Sequence, residues 1–315
     1  MALAQTRFTD NFSPARTCCR LLALIALVGL PGSSTFADTT EAGFLYGSGS
    51  FAPFNFSTAN EIRPFDINDN NEIAGWYSDS SRNMHGFIKS GSSFTAIDYP
   101  GAKNPYGTSI TGINNDGKMV GSYWDGSMSH GFLYDHGSFT DFNFPGAVCS
   151  QPFGINNKGD VVGWYWSGSA TRGFLYSGGA FKSLDIPGAS ATQPYGINDK
   201  GQIVGAFSKS TGIKNAGFLY DGRTFTFLKF PGSTATSTYG INDSGEIVGS
   251  CGTSSFLYHD GCFSTINAPA SDGLYAQGIN NLGSVVGYYL PVPEPASIVL
   301  LGLGLLGTAS RKLRK

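Results

Sequence analysis

One ten-residue pattern recurs along this chain: Gly-Ile-Asn, then Asn or Asp, any residue, Gly, one more position, an aliphatic pair and Gly. It stands at Gly112, Gly154, Gly196, Gly240 and Gly278, with a weaker copy at Asp66 (DINDNNEIAG). Its Ile falls at 67, 113, 155, 197, 241 and 279, so the spacings are 46, 42, 42, 44 and 38. A second pattern, Gly-Phe-Leu-Tyr, stands at Gly43, Gly131, Gly173 and Gly217, with variants at Gly86 and Ser255. Pro-Gly follows at Pro100, Pro145, Pro187 and Pro231, and Pro269-Ala270 is the degenerate copy. Self-similarity at such a period confines a chain to solenoids, propellers or arrays.

Each unit reads as four short strands. In the third, strand A lies around Phe153–Asn156, B at Asp160–Tyr165, C at Gly173–Tyr176 and D at Ala180–Ile186. Asn156-Asn157-Lys158-Gly159 forms a tight A–B turn, because Asn tolerates left-handed dihedrals and Gly supplies positive φ. Ser177-Gly178-Gly179 joins C to D in the same way. Proline lacks the N–H that a ladder needs, so Pro187-Gly188 ends strand D. Strand B is apolar on both pleat faces, as in Val161-Val162, which suits a sheet covered on both sides. Four-stranded units of about 42 residues match propeller blades.

The order of the ends selects closure. Gly43–Tyr46 and Phe51–Phe56 form a C–D pair, and Gly278–Asn281 and Ser284–Tyr289 form an A–B pair. Joining them completes one more unit and removes the free edges. The sequence therefore predicts an all-β, six-bladed propeller of four-stranded blades, closed by its N- and C-terminal strands. The expected blades are Asp66–Tyr99, Gly112–Phe144, Gly154–Ile186, Gly196–Phe230, Gly240–Ala268 and the composite.

The flanks have another composition. Arg7, Arg16 and Arg20 precede an apolar run from Leu21 to Leu30, and small residues follow up to Ala37. That arrangement predicts a signal peptide over residues 1–37, cleaved after Ala37. At the other end, Val292-Pro293-Glu294-Pro295 precedes the apolar segment Ala296–Ala309 and the basic residues Arg311, Lys312, Arg314 and Lys315. The expected layout is signal peptide 1–37, propeller 38–290, and a tail over 291–315 with a short membrane helix.

This tail resembles the PEP-CTERM sorting signal, in which Pro293-Glu294-Pro295 is the name-giving motif. The resemblance implies an exosortase, a membrane-embedded processing enzyme, as partner. It also implies transient anchoring in a membrane, export to the envelope or beyond, and a Gram-negative source that makes exopolysaccharide. Gly302-Leu303-Gly304-Leu305-Leu306-Gly307 matches the dinucleotide fingerprint in letters, but such a site needs a strand before it, a helix after it and an acidic residue about 20 positions on, and these glycines are read as small residues of the membrane segment. The repeats resemble bacterial extracellular repeats named for a His-Ala-Phe signature, here His85-Gly86-Phe87 and His130-Gly131-Phe132. That resemblance implies no particular activity.

Charge excludes one class of partner. Residues 1–37 carry three basic groups and one acidic, and residues 296–315 four basic and none acidic. The segment between holds 13 Lys and Arg against 21 Asp and Glu, a net of −8. Nucleic-acid binding needs clustered Lys and Arg, so no nucleic-acid partner is expected.

Catalytic and metal signatures are weak. Asp66–Glu72 begins like a calcium loop but lacks Gly at the sixth position and has Tyr77 at the twelfth, where Glu is required. His85 and His130 occupy equivalent repeat positions, which explains them without a metal. Cys251 and Cys262 fall at opposite ends of a sheet and are not expected to pair. No catalytic residue, metal or cofactor is expected. The aromatic set Phe65, Tyr106, Phe153, Tyr195, Tyr239 and Tyr275 lies on or near strand A, which lines a propeller axis. Packing between blades explains such a ring. A stacking platform for polysaccharide is the functional alternative. A secreted enzyme acting on glycans is the rival class, and it requires paired carboxylates at one mouth.

Overall fold

The computed structural model describes residues 41–56, 58–209, 216–268 and 271–292. All regular structure in them is β. The composite sheet contains β1 (Ala42–Gly47), β2 (Ser50–Phe54), β23 (Ser271–Ile279) and β24 (Val285–Pro291), in the order β2-β1-β24-β23. The next contains β3 (Glu61–Ile67), β4 (Ile73–Ser78), β5 (Met84–Ser90) and β6 (Ser93–Ala96). Then come β7 (Thr108–Ile113), β8 (Met119–Trp124), β9 (Ser129–Asp135) and β10 (Ser138–Asp141). Two further meanders follow: β11 (Cys149–Ile155), β12 (Val161–Trp166), β13 (Thr171–Ser177) and β14 (Ala180–Ser183), then β15 (Ala191–Ile197), β16 (Ile203–Ser208), β17 (Ala216–Tyr220) and β18 (Phe225–Leu228). The last sheet holds β19 (Ser237–Ile241), β20 (Ile247–Cys251), β21 (Ser254–His259) and β22 (Cys262–Ile266).

The expectation of six separate four-stranded blades is corrected by the hydrogen bonding. It gives four discrete four-stranded blades and one continuous eight-stranded sheet, β11 to β18. The fusion has a local cause. Ala191, the first residue of β15, lies beside Thr171, the first residue of β13, and this single pair joins the two meanders in parallel. The expected C-terminal membrane helix and signal peptide lie outside the described residues. Among the described residues, no helix is long and apolar enough to cross a membrane.

The two ends of the body meet. β1 pairs antiparallel with β24 from Ala42↔Tyr289 to Tyr46↔Val285. Packing between sheets repeats with the sequence. Phe44, Phe87, Phe132, Phe174, Phe218 and Phe256 are the equivalent rings of the Gly-Phe-Leu-Tyr strands, and all are fully buried. Against them lie aliphatic pairs such as Val161-Val162, Ile203-Val204 and Val285-Val286, also buried. Val248 of β20 packs with Phe44 and Val285, and Val286 packs with Phe87 and Ile73, so core clusters run between sheets.

A hydrogen-bonded ring ties the A–B turns together. Asn68 Nδ2 donates to the Asn114 carbonyl at 3.0 Å, Asn114 to that of Asn156 at 3.2 Å, and Asn156 to that of Asn198 at 3.1 Å. Asn198 reaches Asn242 at 2.9 Å, Asn242 reaches Asn280 at 3.1 Å, and Asn280 returns to Asn68 at 3.0 Å. Each Asn also shapes its own turn; Asn156 Oδ1 accepts the N–H groups of Lys158 and Asp160. These six buried amides are the physical content of the Gly-Ile-Asn repeat.

Candidate functional site

Every innermost strand carries a β-bulge at the same repeat position. The register shifts fall at Phe65, Thr111, Phe153, Tyr195, Tyr239 and Gln277. A bulge inserts one residue against the partner strand and re-aims its side chain. The facing residue of strand B must then be Gly. A Cβ on Gly163 would sit 2.1 Å from the Gln151 carbonyl, and one on Gly205 would sit 2.2 Å from that of Gln193. The glycine that closes each Gly-Ile-Asn pattern is thus the counterpart of the bulge.

Of the six expected residues, Phe65, Phe153, Tyr195 and Tyr239 occupy the bulge. Phe153 meets Tyr195 edge to face at 5.0 Å, and Tyr195 meets Tyr239 at 5.3 Å, forming a continuous aromatic arc. Burial pushes the Tyr195 phenol above its ordinary range, with a further push from Tyr239. Tyr106 sits elsewhere, in the loop before β7, 42% exposed and edge-on to Trp124 at 5.6 Å. Tyr275 is two residues short of the bulge and stacks on Tyr288 at 4.8 Å. Thr111 and Gln277 hold the two places that sequence reasoning gave to these tyrosines. Aligning the copies on their Gly-Ile-Asn glycine, rather than on the nearest aromatic, identifies them.

Beyond the bulge the axis narrows at a glycine ring. A Cβ on Gly112 would meet the Phe153 carbonyl at 2.3 Å, and one on Gly196 would meet the Tyr239 carbonyl at 2.4 Å. Asp66 stands where the other copies have Gly. Its carboxylate accepts the N–H of Ile67 at 2.9 Å and of Ile113 at 3.0 Å. Past this ring, the turns enclose a polar pit of about 70 Å³ rimmed by Asp69, Asn115, Asn157, Asp199, Asp243 and Asn281. Each rim side chain accepts a backbone N–H from its neighbour at 2.8–2.9 Å, from Asp69→Asn115 round to Asn281→Asp69.

Burial pushes the Asp66 carboxyl from 3.8 up to about 7. A carboxyl raised on folding favours the native state in full below its ordinary pKa and loses that contribution as pH rises through the folded value. Stability is therefore expected to fall by a few kcal/mol between about pH 4 and pH 7. Asp66→Asn should flatten that slope. Urea midpoints measured across the range check it, and an unchanged slope in the variant would contradict the assignment.

Three clusters escaped the sequence. Arg63, 7% exposed, forms an ion pair with Glu41, with Nη2 to Oε1 at 2.7 Å. Its guanidinium lies 4.7 Å from the Tyr288 ring and 5.3 Å from that of Trp76. Burial raises the Glu41 carboxyl even against the lowering effect of Arg63. Arg63→Ala leaves that carboxylate uncompensated and is expected to cost about 3–5 kcal/mol, read as a shift in denaturation midpoint. Trp164 and Trp166 pack with Cys149, Phe153, Tyr195 and Trp124. A third group is the pairs His85–Asp98 at 2.8 Å and His130–Asp125 at 2.9 Å, at the starts of β5 and β9. The recurrent Trp at the end of strand B (GWYS, GSYW, GWYW) was the available signal for the second cluster. Among the described residues, no group of three His, Cys, Asp or Glu could hold a metal. The calcium-like stretch Asp66–Glu72 is the A–B hairpin turn, with Asn68 N–H bonded to the Glu72 carbonyl.

Closed sheets around an axis, with the innermost strands lining it, define an all-β propeller. The chain carries a PEP-CTERM protein-sorting motif at residues 291–315, which marks an exported protein processed by an exosortase and held by a C-terminal anchor. Pro293, Glu294, Pro295, Arg311, Lys312, Arg314, Lys315 and the expected cleavage residue Ala37 lie outside the described residues. No curated protein matches the chain in sequence. Among solved structures, TolB from Acinetobacter baumannii aligns with a TM-score of 0.51 at 12% identity, over 87% of this chain and 69% of that one. Virginiamycin B lyase from Staphylococcus aureus aligns at 0.48 and 12%, over 81% and 97%. The Aleuria aurantia lectin with Fucα1-6GlcNAc aligns at 0.43 and 10%, over 77% and 99%. At such identities the likeness concerns the fold alone.

Proposed function

We propose that this exported propeller is a binding module for polysaccharide, presented at the envelope through its sorting tail. The observation that supports the reading is the aromatic arc Phe153–Tyr195–Tyr239 on consecutive bulges, bordered by Thr111 and Gln277, with Phe65 on the bulge beyond them. Aromatic rings offer apolar faces with polar tips, the combination that the C–H faces and hydroxyls of a sugar require. Tyr106 and Tyr275 extend the same half of the molecule through Trp124 and Tyr288.

Binding is favoured over glycan cleavage by how the two carboxyls that burial raises are used. Asp66 spends both oxygens on backbone N–H groups, and Glu41 is held by Arg63. Neither is poised to deliver a proton to a glycosidic oxygen. The repeats fit the extracellular His-Ala-Phe class as a description of the chain, with no activity attached.

The double variant Tyr195→Ala plus Tyr239→Ala is expected to lose retention on exopolysaccharide while keeping its circular dichroism spectrum. Retention unchanged by a folded double variant would overturn the reading.

A further inference from the structure

Both ends of the propeller leave from one face, and that face is where the tryptophans lie. β23 runs toward the polar pit and β24 runs back, so Pro291, paired with Ser271, ends at the face opposite the pit. Glu41 and Ala42 begin β1 at the same face, with Ala42 opposite Tyr289. Trp124 and Trp166 are the last residues of β8 and β12, and Trp76 and Trp164 lie two residues before the ends of β4 and β12. All four tryptophans of the chain thus sit in the half of the molecule from which the tail departs, Trp76 and Trp164 buried and Trp124 and Trp166 partly exposed toward its face. Tyr106 and Val292, 42% and 41% exposed, are on that face, and the pit face is built of Asn and Asp.

The tether is short. Residues 292–295 alone separate Pro291 from Ala296, where the apolar segment begins. Four residues extend at most about 14 Å. The strands between the two faces span roughly 20 Å, so the anchored body has no room to turn its pit face to the bilayer.

We infer that the aromatic face rests on the lipid headgroup layer beside the protein's own anchor until the tail is cut. Tyr and Trp are the side chains that favour this layer, being apolar in body and polar at the tip. The aromatic arc is covered while the chain is anchored, and processing by the exosortase uncovers it. The orientation follows from the exit point and tether length, whatever ligand the arc takes afterwards.

The test uses the full chain inserted through its tail into phosphatidylcholine vesicles that carry a nitroxide on a fraction of the headgroups. Emission is read only from protein that floats with the vesicles. The native emission is expected to be quenched, through the partly exposed Trp124 and Trp166. In a second form, Leu282→Trp places an indole on the pit face, at a position 66% exposed in a turn. The extra emission of that variant is expected to stay unquenched. Native emission that is unaffected, or pit-face emission quenched to the same degree, would overturn the inference.

Discussion

Deletion of residues 38–57 is expected to abolish cooperative folding rather than to trim a terminus. The segment supplies β1 and β2, so its loss leaves β24 as an unpaired edge along Val285–Tyr289. It also removes the fully buried Phe44, which packs with Val248, Ile266, Leu274 and Val285, and strips Phe54 from a second cluster around Ile62 and Val286. Burial of each such ring contributes about 1.5–3 kcal/mol. Glu41 leaves with the segment, so Arg63 loses its carboxylate. Together these losses approach the roughly 5–15 kcal/mol that holds a whole domain. The measurement is thermal unfolding by calorimetry, with no sharp endotherm expected. An unchanged melting temperature would mean that the ends do not complete the ring.

Asn156→Ala, like the same change at the other inner-ring asparagines, is expected to be among the most damaging substitutions in the turns, at about 3–5 kcal/mol. The side chain is 4% exposed and makes four hydrogen bonds. Its Oδ1 accepts the N–H groups of Lys158 and Asp160, and its Nδ2 donates to Asp160 and to the Asn198 carbonyl. Truncation leaves two turn N–H groups without an acceptor and opens one link between neighbouring sheets. Asn157→Ala removes two exposed rim contacts, its Nδ2 donation to Asp199 and its acceptance of the Asn115 N–H, and should cost about 1 kcal/mol. Guanidinium denaturation of the two variants checks the difference. Equal midpoints would show that the inner ring is not the stronger of the two.

The strands were legible because each depends on local chemistry that repeats. Gly159, at φ +80°, turns A into B, and the fully buried Val162 and Phe174 face neighbouring sheets. In the weak first copy Asn71 replaces the turn glycine and still adopts φ +58°, which Asn tolerates best among side chains with a Cβ. The division into sheets was not legible. It depends on one parallel pair, Thr171↔Ala191, which carries no residue signature: β11 begins at the same repeat position as β15 and makes no such pair. The aromatic set was half legible. Phe153, Tyr195 and Tyr239 follow the repeat, but Tyr106 and Tyr275 were matched by residue type when the bulge register assigns Thr111 and Gln277. Arg63 was hidden because Tyr288 on β24 and Glu41 before β1, each more than 20 residues away, come to it only in the closed fold. Asp66 was visible as a break in the pattern, yet its buried setting comes from Ile113 on the neighbouring strand.

The most direct test of ring closure is a disulfide between the two ends of the body. Leu45 lies opposite Val286 across β1 and β24, and both side chains belong to the same apolar cluster. Leu45→Cys plus Val286→Cys is expected to oxidise spontaneously. After a single proteolytic nick between them, the N- and C-terminal fragments should run as one species until a reductant is added. The loop so closed is long, so the melting temperature should also rise, by an amount corresponding to a few kcal/mol. Fragments that separate without reductant would contradict a propeller closed by its own first and last strands.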